Sequence, residues 1–140
     1  MLGENSMTAI VLVSHSKDIA NGTKALLNKM AKDVNIIAYG GLDKKLGTSL
    51  NEIKNIINNL DEDALCFYDL GSADMNIDLA LDEYNGNYHI CKVNAPIVEG
   101  SFTAAVKLAT GDSIEDTIKE VESQSFKKSA FNWFSKSCSL

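Results

Sequence analysis

Several things are scarce in these 140 residues, and each scarcity removes a class of protein. There is one proline, Pro96, and no apolar run approaches the ~20 residues that a membrane-crossing helix needs. No segment that is basic, then apolar, then small-residue opens the chain, so neither a secretory signal nor a membrane role is expected. The three cysteines, Cys66, Cys91 and Cys138, are odd in number and lack metal-type spacing. That excludes a disulfide framework and points to a reducing cytoplasm, with Cys66 and Cys91 as small core residues. Basic residues are outnumbered, 13 Lys+Arg against 19 Asp+Glu, and the formal charge of −6 argues against a nucleic-acid binder. Familiar catalytic signatures are missing too. Gly41 to Ser49 lacks the Gly-Lys-Ser/Thr ending of a Walker loop. Ser14-His15-Ser16 stands where dinucleotide-binding glycines would follow the first strand. There is no Gly-x-Ser-x-Gly nucleophile elbow. A metal would need more ligands than His15 and distant acids offer, so no metal is expected.

What remains is 45% hydrophobic and 23% charged, the profile of one globular domain with a sizeable core. Residues 1–6 carry no pattern, and Met7 is an alternative start. An apolar run from Thr8 to Val13 reads as a strand leading into Ser14-His15-Ser16. A helix is expected over Asp18 to Lys32, with Ile19, Leu26, Leu27 and Met30 near one face. Val34 to Ala38 reads as a second strand, broken by Gly40-Gly41. A loop then leads through Gly47-Thr48-Ser49 into a helix striped by Leu50, Ile53, Ile57 and Leu60. Thr48 or Ser49 is its N-cap, and the same geometry would also suit an anion.

Ala64 to Tyr68 is a third strand ending in Asp69-Leu70-Gly71-Ser72, before a helix over Ala73 to Tyr84. Tyr88 to Val93 is a fourth strand, begun near His89, which is read as structural. Asn94 to Gly100 is expected to be a loop ahead of a helix over Ser101 to Leu108. A last helix runs from Ser113 to Ser123, with Ser113 and Asp116 at capping-box spacing. Residues 124–140 change in composition, mixing Lys127, Lys128 and Lys136 with Phe126, Phe131, Trp133 and Phe134. A poorly ordered C-terminal extension is expected there. The alternative is a short amphipathic helix. The domain proper is therefore 8–123.

Strands alternating with helices imply an α/β fold: an open, mostly parallel sheet of four or five strands with helices on both faces. Right-handed crossovers gather the strand-to-helix loops on one rim. Ser14-His15-Ser16, Gly40-Gly41, Asp69 to Ser72 and Asn94 to Gly100 should share it. That rim offers one imidazole, one carboxylate, hydroxyls and loop amides. Such a set suits a histidine acting as the nucleophile toward phosphorus. Asp69 would fix the tautomer by accepting from one ring nitrogen. The bland alternative is an ordinary strand-end histidine in a small ligand-binding protein.

Four stretches carry a resemblance: Ile10 to Ser16, Gly47-Thr48-Ser49, Asp69 to Ala73, and Ala95-Pro96-Ile97-Val98-Glu99-Gly100. Together they resemble the DhaM family, the phosphotransferase subunit of PEP-dependent dihydroxyacetone kinase, whose domain is EIIA-mannose-like. The resemblance runs from Thr8 to Val121. It implies a bacterial, cytoplasmic homodimer in which His15 carries the phosphoryl group as a tele-phosphohistidine. HPr would be the donor, and ADP on the DhaL subunit, working with DhaK, the acceptor. It further implies that Asp69 orients His15 and that Gly47, Thr48 and Ser72 support the phosphoryl site. No permanently bound cofactor is implied, since ADP/ATP resides on the partner subunit. The chain is too short for the HPr-like or enzyme-I-like domains of some members, so a separate donor is expected. The competing functions are an EIIA component of a mannose-type sugar phosphotransferase system, with an EIIB acceptor, and a phosphohistidine regulatory module.

Overall fold

Among the described residues, four apolar runs become strands that are all parallel. They are β1 (Thr8–Ser14), β2 (Ile36–Gly40), β3 (Asp63–Tyr68) and β4 (Ile90–Lys92). Among these residues five helices join and follow them: α1 (Lys17–Met30), α2 (Leu50–Asn58), α3 (Gly71–Glu83), α4 (Ile97–Ala109) and α5 (Ile114–Ser123). The structure, a computed structural model, describes residues 8–124. The readings made for residues 1–7 and for the rest of the C-terminal extension lie outside the described residues.

The sheet order is β2-β1-β3-β4. β1 lies between β2 and β3, pairing Val13 with Tyr39 on one side and with Tyr68 on the other. A parallel strand covered on both faces needs apolar side chains in both directions, which is why β1 has no polar alternation. Its residues still divide by parity. Ile10 and Leu12, with Leu65 and Phe67 of β3, join Leu27, Ala104, Ala105 and Val121 in the core beneath α1, α4 and α5. Ala9, Val11 and Val13, with Ala64 and Cys66, meet Ile53, Ile57, Ala73 and Ile77 in the core beneath α2 and α3. Helices therefore cover both faces, as the alternating pattern implies.

Several elements depart from the sequence reading. α4 begins at Ile97, so Ile97 to Gly100, taken as part of a loop, is the helix's first turn, while Asn94 to Pro96 do form the loop before it. Pro96 stands at its N-cap, where a missing N–H costs nothing. Gly100 is buried against Ala95 and Phe67, where a Cβ would lie 2.6 Å from the Ala95 methyl. β4 is shorter than expected. His89 precedes it, donating its N–H to Asp63 Oδ1 and accepting from Ala64 N. In α1, Leu27 is buried, but Ile19, Leu26 and Met30 are exposed, and the buried line is Ala20, Thr23 and Leu27. The small side chains of that line suit a helix laid close to the sheet, and Thr23 satisfies its hydroxyl on the Ile19 carbonyl.

The order of the strands places the site. From β1 the chain crosses one face through α1 to reach β2. From β3 it crosses the opposite face through α3 to reach β4. The loops leaving β1 and β3 therefore part to opposite sides, opening a crevice at their carboxyl ends, where ligands bind in such sheets.

Candidate active site

The crevice begins with Ser14, the last residue of β1, which is fully buried. Its Oγ donates to Asp69 Oδ2 at 2.6 Å and accepts from Ser16 N at 3.0 Å. Because Val13 pairs with Tyr68, the next residues along, Ser14 and Asp69, arrive side by side. Asp69 also accepts from His15 N (3.1 Å to Oδ2) and from Leu70 N (2.7 Å to Oδ1). Its Oδ1 lies 3.0 Å from Nδ1 of the His15 ring. Burial pushes the Asp69 carboxyl up. Hydrogen bonds from Ser14, His15 and Leu70 outweigh that and hold it below its ordinary 3.8. It is a carboxylate at neutral pH and can only accept, so Nδ1 of the neutral His15 ring carries the proton. The lone pair is then on Nε2.

Nε2 faces Ser72 Oγ at 2.5 Å. Ser72 lies in the first turn of α3, whose N-cap, Leu70, provides no capping side chain. An uncapped helix start presents free amides and the positive end of the dipole, which together favour an anion. Thr48 Oγ1 is 3.4 Å from Ser72 Oγ and accepts from Asn76 Nδ2 at 2.8 Å. Of the two candidate caps for α2, Ser49 takes the role, accepting from Glu52 N, and donates its own N–H to the Tyr39 hydroxyl. That leaves Thr48 free for the site. Gly47 reaches His15 through the backbone: at φ +136° its N–H donates to the His15 carbonyl at 2.8 Å.

All five sequence-derived residues, His15, Asp69, Gly47, Thr48 and Ser72, are thus brought to one place. Asn94 to Gly100 makes its contacts elsewhere, with Tyr68, Phe67 and Glu122. Sequence reasoning missed the part played by Ser14, which looked like one more strand-end hydroxyl, and missed Asn76 altogether. Asn76 follows Ser72 by four residues, one helical turn on the same face, and that spacing was the available signal. Among the described residues, no three His, Cys, Asp or Glu side chains are placed to hold a metal ion.

Chemically, the arrangement presents a lone pair on Nε2 and a charge-stabilising carboxylate behind Nδ1. A hydroxyl and a helix N-terminus lie where the oxygens of an incoming group would fall. That suits nucleophilic capture of an anionic electrophile.

Comparison with known proteins gives the chain a family. Residues 9–118 match the family model EIIA-man, described as PTS system fructose IIA component. The chain is 38% identical over 121 residues to the PTS-dependent dihydroxyacetone kinase phosphotransferase subunit DhaM of Lactococcus lactis, covering 85% of this chain and 97% of the relative. It is 37% identical over 108 residues to a phosphoryl donor subunit DhaM of Listeria innocua, covering 76% and 86%. The Escherichia coli DhaM is 30% identical, and only 26% of its length is spanned. Among solved structures, the protein of unknown function EF1359 superposes with a TM-score of 0.72 at 35% identity, covering 82% of this chain and 92% of its own. A sigma-54 interaction domain protein from Enterococcus faecalis gives 0.68 at 14% identity, covering 93% and 98%, and shares the fold.

Proposed function

This chain belongs to the EIIA-man family as a DhaM-type phosphoryl donor subunit of PEP-dependent dihydroxyacetone kinase, and from that premise we propose that it carries the phosphoryl group on Nε2 of His15. The observation that supports this most is the orientation of the ring. Nδ1 is turned to Asp69 and Nε2 to Ser72 at the start of α3.

In the first half-reaction the Nε2 lone pair attacks the phosphorus of a phosphohistidine donor. A new N–P bond forms as the donor's N–P bond breaks, and the leaving imidazole keeps the electron pair. Asp69 offsets the positive charge that develops on the His15 ring. Ser72 Oγ and the first amides of α3 receive the phosphoryl oxygens. In the second half-reaction a nucleotide phosphate oxygen attacks, the N–P bond breaks, and the pair returns to Nε2. Asp69 and Ser72 thus act by positioning and charge stabilisation, which dominate phosphoryl transfer.

The donor we infer is HPr, and the acceptor is ADP held on DhaL, which acts with DhaK; the chain itself acts as a homodimer without a resident cofactor. These assignments rest on the family. Reconstitution tests them: the chain, phospho-HPr, ADP, DhaL, DhaK and dihydroxyacetone should yield dihydroxyacetone phosphate. Transfer to a sugar-transport EIIB, with none to ADP on DhaL, would overturn the assignment in favour of a transport component.

A further inference from the structure

The hydrogen bonds at His15 do not stop at Ser72. They continue through Thr48 to Asn76, and the two ends of the series differ in kind. Asp69 is a carboxylate that can only accept. The Nδ2 of Asn76 is an amide nitrogen that can only donate. Between them lie groups that can do either: the imidazole, the Ser72 hydroxyl and the Thr48 hydroxyl. The separations along the series are 3.0 Å (Asp69 to Nδ1), 2.5 Å (Nε2 to Ser72), 3.4 Å (Ser72 to Thr48) and 2.8 Å (Thr48 to Asn76).

With those ends, one direction serves every group. Asn76 donates to Thr48, Thr48 to Ser72, Ser72 to Nε2, and Nδ1–H to Asp69. In the opposite direction Nε2 would carry the proton and Nδ1 would point a lone pair at a carboxylate. Thr48 would then have to accept from both Asn76 and Ser72, leaving its own proton without a place in the series. We propose that Asn76 is a positioning residue for phosphoryl capture: it orients the Thr48 and Ser72 hydroxyls so that the Ser72 proton rests on the Nε2 lone pair and turns to the phosphoryl oxygens as the group arrives. It touches neither the ring nor the incoming group, and it acts through Thr48. The inference rests on His15 being the phosphoryl carrier, but its signature resides in the unphosphorylated ring.

That signature is the ¹⁵N shift of Nε2. In the intact chain at neutral pH, ¹⁵N NMR of the His15 ring should show a pyrrole-type Nδ1 and a pyridine-type Nε2. Asn76→Leu, which keeps bulk and removes the donor, should leave the proton on Nδ1, where Asp69 holds it, and move the Nε2 resonance downfield as the Ser72 hydrogen bond to it weakens. It should also slow labelling by phosphoramidate about fivefold to tenfold, the scale of one neutral hydrogen bond. Thr48→Val should do the same, and the double variant should be no slower than either single one, because both cut the same series. Two results would overturn the proposal: an unchanged Nε2 shift and rate in Asn76→Leu, or losses that multiply in the double variant. Should Asn76→Leu fold poorly, Thr48→Val with and without Asn76→Ser reads the same coupling. The Nε2 shift is measured without any phosphoryl donor, so a wrong donor or acceptor leaves this result intact.

Discussion

On Asp69, protons converge from Ser14 Oγ, His15 N, His15 Nδ1 and Leu70 N. A side chain that merely capped α3 would instead hold that helix's first-turn amides, yet the N-cap is Leu70 and no side chain caps there. Asp69→Asn should therefore not be silent. The amide has one acceptor oxygen and would face Ser14 or His15 with a donor. We expect phosphoryl transfer slowed about a hundredfold, the scale of losing a positioned acid–base partner. Stability should fall by about 1–3 kcal/mol as inward donors go unmet. The pH dependence has a definite sign. Since the folded carboxyl sits below 3.8, its contribution is complete above that value and is lost as pH falls through the lower, folded one. Denaturant titrations of the two proteins should thus differ at neutral pH and converge in acid; a difference that widens in acid would be wrong for this account. At this scale, His15 and Asp69 were legible because reactive residues at the carboxyl ends of apolar runs are conspicuous. Ser14 was not, because a serine at a strand end gives no sign that its hydroxyl turns inward to the carboxylate of the neighbouring strand.

Among the elements, the turn from β1 to α1 carries His15, and Gly40 and Gly47 brace it. At Gly40 an added Cβ would lie 2.6 Å from the Ser16 carbonyl oxygen and 2.8 Å from that of Ser14. Both are backbone atoms and cannot swing aside. Gly40→Ala should displace the turn, costing about 1–3 kcal/mol as overpacking does. It should also slow phosphoryl transfer, because the ring leaves its register with Asp69 and Ser72. Chemical denaturation and transfer rates check the two effects, and a variant altered in neither would mean that the turn has slack. The helices show why sequence reading reached only part of this. The capping hydroxyls of α2 and α5, Ser49 and Ser113, stand where the chain suggests, because caps are local chemistry. The α1 stripe misled, because apolar spacing identifies a helix but not which flank meets the sheet. Ile19, Leu26 and Met30 satisfy a helical period and still face outward. α4 was entered late because Pro96 reads as a breaker until its position at a helix start is known.

For the whole molecule, the alternation of strands and helices gave away the parallel sheet, while the order β2-β1-β3-β4 had to come from the structure. That order makes the loops after β1 and β3 neighbours, and so makes a site out of residues 54 positions apart in the chain. Among the described residues, no helix is long and apolar enough to cross a membrane. The homodimer inferred from the family should appear in light scattering as twice the chain mass at micromolar concentration; a monomer alone would count against it. The most direct test concerns the phosphoryl group itself. The chain should be labelled by phospho-HPr, kept at alkaline pH, and the modified nitrogen identified by ³¹P and ¹⁵N NMR together with peptide mapping. We predict a single acid-labile phosphoryl group on Nε2 of His15 and none in His15→Ala. Phosphate on Nδ1, on His89, or persisting in His15→Ala would contradict the account.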